Sequence, residues 1–184
     1  MTKVKEIVIV DYEAQWPAAF EAERVKLVAA LGEHALAIEH IGSTSVEGLA
    51  AKPIIDIMIA VRSLADADAH CIQPIVALGY EYCPQFENMM PYRRYFRRLV
   101  PNARIPRGDT HHIHLVEITH PFWQRHLLFR DYVRAHPDVR DAYADLKTGL
   151  VARLDDLAQY TDAKTAFIQD IEAKSRAWKA QEES

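Results

Sequence analysis

Four groups of residues have the types and spacing to do chemistry. The first is the turn Gly42-Ser43-Thr44-Ser45, which follows a short apolar run from Ala35 to Ile41. Exposed backbone N–H groups and three hydroxyls make such a turn a natural phosphate cradle. The same residue types also build a tight turn and a helix N-cap. The second is Asp56, set within Lys52-Pro53-Ile54-Ile55-Asp56-Ile57-Met58-Ile59. A carboxylate in an aliphatic strand is costly unless something pairs with it or it opens onto a site. Asp56 would bind a divalent cation or act as a base, or else pair structurally with Lys52, His40 or an arginine.

The third group is His112 and His114. Two residues apart on a strand, they project to one face and can approach one ion or one phosphate. The alternative is a hydrogen-bonded structural network. Glu117 falls on the opposite face by the same period and joins the site only if a bulge rotates it. The fourth group is Arg93, Arg94, Arg97, Arg98, Arg104 and Arg107, interleaved with Tyr92, Tyr95 and Phe96. Arginines in this density suit a triphosphate through bidentate contacts, with Arg93 and Arg97 as the expected ligands. A solvated edge hairpin defended by arginines is the competing reading.

Positioning these groups requires a sheet. Residues 4–10 read as a strand or extended arm. Pro17 opens a helix that Gly32 stops. Residues 35–41 form a strand, and Thr44 to Ala51 a short helix ended by Pro53. Residues 54–61 are apolar on both faces and make a central strand. Ala65 to Leu78 reads as a helix broken or bent near Pro74 and stopped by Gly79. Residues 80–82 and 95–100 look like strands of a hairpin or a flap. Residues 111–118 alternate as a strand. Helical spacing then runs to the end: about 121–135, from Pro137 through Leu150, and from about Leu157 onward. Trp16, Trp123, Phe129, Tyr132 and Tyr143 read as core or subunit contacts, which leaves a homodimer open. Strands precede helices, so the expected fold is α+β: one domain over 1–184, with a mixed-sheet core to about 118 and a C-terminal helical layer over about 120–183.

The chain has 184 residues, enough for a full core, with 49% apolar and 26% charged residues. A net charge of −4 argues against long nucleic acid as the partner, because that binding rests on a basic surface. The two cysteines form no metal-type spacing and fit a reduced, cytoplasmic setting. No apolar run approaches the length of about 20 residues that a membrane span needs. No apolar signal core follows the first methionine.

Longer motifs add a resemblance. Ile38-Glu39-His40-Ile41-Gly42-Ser43-Thr44-Ser45-Val46, Gly48 to Ile57, His111 to Leu115 and Leu128-Phe129-Arg130-Asp131-Tyr132 resemble the GrpB family. The likeness continues through Tyr143, Lys147, Tyr160, Lys164 and Phe167. It implies a core similar to the nucleotidyltransferase superfamily. Members of that superfamily use a Gly-Ser turn, an acid-x-acid strand and a third acid on a later strand, and the acids hold two metal ions. Gly42 and Ser43 match the turn, and Asp56 matches the first acid. Met58 stands where the second acid would be, and a thioether is a poor magnesium ligand. His114 or His112 falls in the place of the third.

The expected ligand is a nucleotide or other phosphorylated small molecule. Gly42, Ser43, Thr44, Ser45, Lys52, Arg93 and Arg97 would hold phosphate. Asp56, His112 and His114 would hold a metal, magnesium ahead of manganese or zinc. Nucleotidyl transfer to a small acceptor, with Asp56 catalytic, leads the readings. The alternatives are an inactive binding module and a metal enzyme built on Asp56, His112 and His114.

Overall fold

A computed structural model of the chain describes residues 7–100, 108–154 and 157–182. Five strands form one sheet: β1 (Ala37–Ile41), β2 (Ile55–Val61), β3 (Glu81–Tyr82), β4 (Arg93–Leu99) and β5 (Asp109–Glu117). Their order across the sheet is β1-β2-β5-β4-β3. β2 and β5 run parallel and every other pair is antiparallel, so the sheet is mixed. β2 lies inside the sheet, as its two apolar faces require.

The pleat sorts the side chains between two layers. Ile57, Ile59, Ile113, Leu115 and Phe96 point to one face. There they meet α1 (Trp16–Leu31), α2 (Leu64–His70) and α3 (Ile72–Ala77) through Leu27, Leu31, Ala67 and Ile75. Ile41, Met58, Ala60 and Val116 point to the other face and pack on Phe122 and Trp123 of α4 (Pro121–Ala135). The remaining helices are α5 (Pro137–Arg153), α6 (Leu157–Ala163) and α7 (Thr165–Glu182). A third cluster joins α4, α5 and α7 to the turn after β1, with Val46 and Leu49 against Tyr132, Val133, Tyr143 and Ile171. The aromatic residues Trp16, Trp123, Tyr132 and Tyr143 are buried within these clusters, and Phe129 packs against the third.

Several elements differ from the sequence reading. Thr44 to Ala51 is not a helix, and only Ser43–Ser45 make a single 3₁₀ turn. The Thr44 hydroxyl donates to the Ile54 carbonyl and Ser45 donates back to Gly42, bonds that compete with helix formation. Gly48 then takes a φ of 78°. The 65–78 helix is broken rather than bent, and the break falls at Cys71, three residues ahead of Pro74. The proline ring clashes with the carbonyl four residues back, His70, which is where α2 ends. The last helix is two, because the chain tightens at Lys164, whose N–H bonds the Thr161 carbonyl three residues back. β3 and β4 form an antiparallel pair, and β4 also pairs along its length with β5. Residues 4–6, Arg104 and Arg107 lie outside the described residues. Val10 makes one antiparallel bridge, to Ala51.

Candidate functional site

β1 ends opposite Asp56, so the turn that follows starts beside that carboxylate. Gly42 makes this approach feasible. Its φ is 70°, and a Cβ there would sit 2.5 Å from Asp56 Oδ2. Arginines of α4 and α5 hold the turn from behind. Arg134 donates twice to the Ser45 carbonyl, at 3.0 and 2.7 Å. Arg130 donates to the His40 carbonyl and to Glu39, and Arg140 to the Glu47 carbonyl. Buried His40 stacks on Phe20 and lies 3.0 Å from the Thr44 hydroxyl. Burial pushes its pKa down to about 4, so it supports the turn as a neutral ring.

Asp56 and His112 are register partners, as are Met58 and His114. All four side chains therefore face the helical layer of α4 to α7. Asp56 Oδ1 is 3.2 Å from His112 Nδ1 and 3.9 Å from His114 Nε2. Burial pushes the carboxyl up, but hydrogen bonds and charge from the two histidines outweigh it and leave Asp56 well below the carboxylate range. His114 Nδ1 accepts from Arg93 Nη1 at 2.9 Å, so its Nε2 carries the proton that faces Asp56. Neither His114 nitrogen then offers a free lone pair to an ion. Burial holds this ring below the usual histidine range.

Above Asp56 lies a cavity of about 210 Å³. Its walls are Ser43 and Thr44 of the turn, Lys52, Asp56 and His112 of the sheet side, and Lys147, Tyr160 and Lys164 of α5, α6 and the turn after it. Lys147 Nζ donates to Ser43 Oγ at 3.1 Å and to the Ala50 carbonyl. It lies 4.6 Å from the Tyr143 ring centre. Lys52 and Lys164 face the Tyr160 ring at 4.8 and 4.3 Å. Burial, then the neighbouring Lys164, pushes Lys147 down to about 7. Burial, then Lys52, pushes Lys164 down to about 8. Among the described residues that line the cavity, Asp56 is the one carboxylate. The Tyr160 hydroxyl is fully buried and has no hydrogen-bond partner among the described residues. A buried polar group in that state costs about 1–3 kcal/mol. Clustered, desolvated cations beside an unsatisfied hydroxyl are the signature of a site shaped for an anion.

The expected site residues divide. Ser43, Thr44, Lys52, Asp56 and His112 come together at the cavity, and Gly42 lies against Asp56 beside it. Ser45 holds the turn from within, and Arg93 sits behind His114. Arg97 does not reach the cavity, being held by Glu81 at 2.8 and 3.2 Å. Arg94 is likewise held by Asp68, and Arg98 by Glu23. Glu117 stays on the opposite face and accepts the Leu64 N–H at 3.0 Å. Sequence reasoning assigned no site role to Lys147, Tyr160 or Lys164. A signal was present: Tyr143-x-x-x-Lys147 and Tyr160-x-x-x-Lys164 each put a lysine one helical turn from a core tyrosine.

The donors do not fit a two-ion centre. Met58 is fully buried under Phe122 and Trp123. Among the described residues, no group of three or more His, Cys, Asp or Glu is placed to hold a metal.

A mixed five-stranded sheet, a Gly-Ser turn beside the strand acid and a helical layer over both define a nucleotidyltransferase-like fold. A crystal structure of the Cid1 poly(U) polymerase with MgGTP bound is similar, with a TM-score of 0.51 at 14% identity over 79% of this chain and 45% of that one. At that identity the likeness shows the fold alone. Closer comparisons narrow the class. The family model described as GrpB protein matches residues 6–174, and the chain belongs to this family. Its structure is similar to that of the conserved protein GrpB from Enterococcus faecalis, with a TM-score of 0.80 at 36% identity over 93% of this chain and 99% of that one. The UPF0157 protein YqkA of Bacillus subtilis is 40% identical over 176 residues, 95% of this chain and 49% of YqkA. The chain thus spans about half the length of that relative. Among the described residues, no helix is long and apolar enough to cross a membrane.

Proposed function

We propose that the protein binds a nucleotide or a related phosphorylated metabolite, with the phosphate chain in the cavity between the Ser43 turn and the α5–α6 helices. One observation carries this reading: Lys52, Lys147 and Lys164 converge on a cavity where, among the described lining residues, Asp56 is the one carboxylate. Among the described residues, Lys147 is held by a hydroxyl, a carbonyl and the Tyr143 ring, and Lys164 faces the Tyr160 ring, so a bound anion would complement both. The turn supplies Ser43 and the backbone N–H groups beside it. The nucleotidyltransferase-like fold supports the choice of ligand class.

In this reading Asp56 would share one magnesium ion with the phosphates, manganese being the next choice and zinc the least suited. Magnesium is commonly held in this way, by one or two carboxylates plus substrate oxygens. Buried Met58 favours binding without nucleotidyl transfer, because the position of a second acid is closed by packing. The protein is then a binding or regulatory module on a catalytic fold.

Isothermal titration of ATP, CTP, GTP and UTP with magnesium or manganese tests this. Wild type should bind at least one of them. Lys164→Met should weaken binding about 30-fold or more, as expected when one partner of a buried charged contact is removed. Asp56→Asn should abolish the part of the affinity that depends on the metal. Binding indifferent to both substitutions would sink the reading.

A further inference from the structure

A cavity of about 210 Å³ is too small for a whole nucleotide, since pockets for small molecules run from about 300 to 1,000 Å³. A nucleotide whose phosphates lie among the lysines must place its remaining part elsewhere. A second groove, of about 550 Å³, lies on the other flank of α6. Tyr160 and Lys164 face the first cavity, while Ala158 and Asp162 line the second. Arg93 lines this groove as well, and one imidazole, that of His114, stands between it and Asp56 of the first site. Arg93 bonds His114 Nδ1, and His114 Nε2 lies 3.9 Å from Asp56.

The groove has the surfaces that a flat ring needs. Phe86 and Met89 are 39% and 80% exposed, and Met90 lies beside them. Phe86 is set edge-on against Tyr95, with ring centres 5.5 Å apart, so its orientation is fixed. Aromatic and thioether side chains together stack well on heterocycles. The Asp162 carboxylate at the rim accepts hydrogen bonds and does not donate them, which suits an amino group.

We propose that this groove binds the nucleobase of the nucleotide, with a preference for bases that carry an exocyclic amino group. The inference rests on the phosphate reading of the lysine cavity, and one titration separates the two. Inorganic tripolyphosphate, ATP and UTP, each with magnesium, are titrated into wild type and into the double variant Phe86→Ser, Met89→Ser. Both replaced side chains are exposed, and tripolyphosphate binding reports whether the variant's phosphate site is intact. Wild type should bind ATP about tenfold tighter than tripolyphosphate, the scale of one base–aromatic stack. UTP should fall between the two. In the variant the advantage of ATP should shrink to about twofold, with tripolyphosphate unchanged.

An ATP affinity equal to that of tripolyphosphate in wild type would overturn the groove and leave the phosphate site standing. So would a variant that keeps the full ATP advantage. UTP binding as tightly as ATP would overturn the role given to Asp162. Tripolyphosphate that fails to bind wild type would overturn the phosphate reading, and this inference with it.

Discussion

Two cationic regions of this molecule look opposite in sequence and in space. β4 carries four arginines without an intervening acid and reads as an anion site or as a solvated edge hairpin. In the fold, acids from other elements neutralise three of them: Asp68 of α2 on Arg94, Glu81 of β3 on Arg97 and Glu23 of α1 on Arg98. The lysines of the C-terminal helices are scattered among acids in sequence, yet Lys147 and Lys164 arrive in one cavity together with Lys52. Density of charge along a chain says little about charge at a site. What matters is which acids the topology returns to it, and those lie as many as 75 positions away, as Glu23 does from Arg98.

A similar contrast divides the face of the sheet itself. Around Asp56 it is polar and hydrogen-bonded, and around Met58, two residues on, it is sealed by Phe122 and Trp123. Met58→Asp tests this boundary and carries the largest expected effect. A new carboxylate there would be buried without a cation, so chemical denaturation should show a loss of about 3 kcal/mol or more. Nucleotide affinity per folded molecule should not rise. A variant as stable as wild type, with a gain in metal binding, would show that the second-acid position opens onto the site.

Much of the frame was legible in the sequence. Period-two alternation placed His112 and His114 on one face and Glu117 on the other, and the unbroken pairing with β2 keeps them there. The two-sided apolar run 54–61 marked an internal strand, and Gly42 beside Ser43 marked the turn. The expected helix over Thr44 to Ala51 failed because local hydroxyl-to-backbone bonds, which propensity does not count, settle that segment. The lysine wall stayed hidden for another reason. Lysine on a helix usually projects to solvent, and its burial becomes visible only once α5 and α6 are folded over the sheet. The spacing from Tyr143 and Tyr160 held the clue, but tyrosine four residues from lysine also occurs on ordinary amphipathic helices.

Lysines that burial has desolvated should reveal themselves through pH. Lys147 and Lys164 stand at about 7 and about 8, against an ordinary value of 10.5. Between those values and 10.5 the unfolded chain binds more protons than the folded one. Their contribution to stability therefore rises as pH increases through that window. Anion binding has the opposite sign. A bound phosphate restores both protons, so tripolyphosphate affinity should fall as pH rises above about 7. Titrations in buffers of different ionisation enthalpy should then show proton uptake on binding at pH 8.5, roughly one to two protons per site. Binding without proton uptake would place the anion away from these lysines.

The smallest expected effect is the sharpest check on the comparison. Arg97 lies on the same face as His112 and opposite it in register, so nearness alone would make it a phosphate ligand. Its guanidinium is instead fastened to Glu81, in a pair whose side chains are 23% and 49% exposed. Exposed pairs of this kind contribute about 0–1 kcal/mol. Arg97→Gln should therefore shift stability by less than about 1 kcal/mol and leave tripolyphosphate affinity within about twofold, against the loss of about 30-fold expected for Lys164→Met. A tenfold loss in Arg97→Gln would mean that the pair opens when ligand arrives, handing the arginine to the phosphates and leaving Glu81 to solvent. The two cationic regions would then be halves of one site, and the neutralised strand a resting state of it.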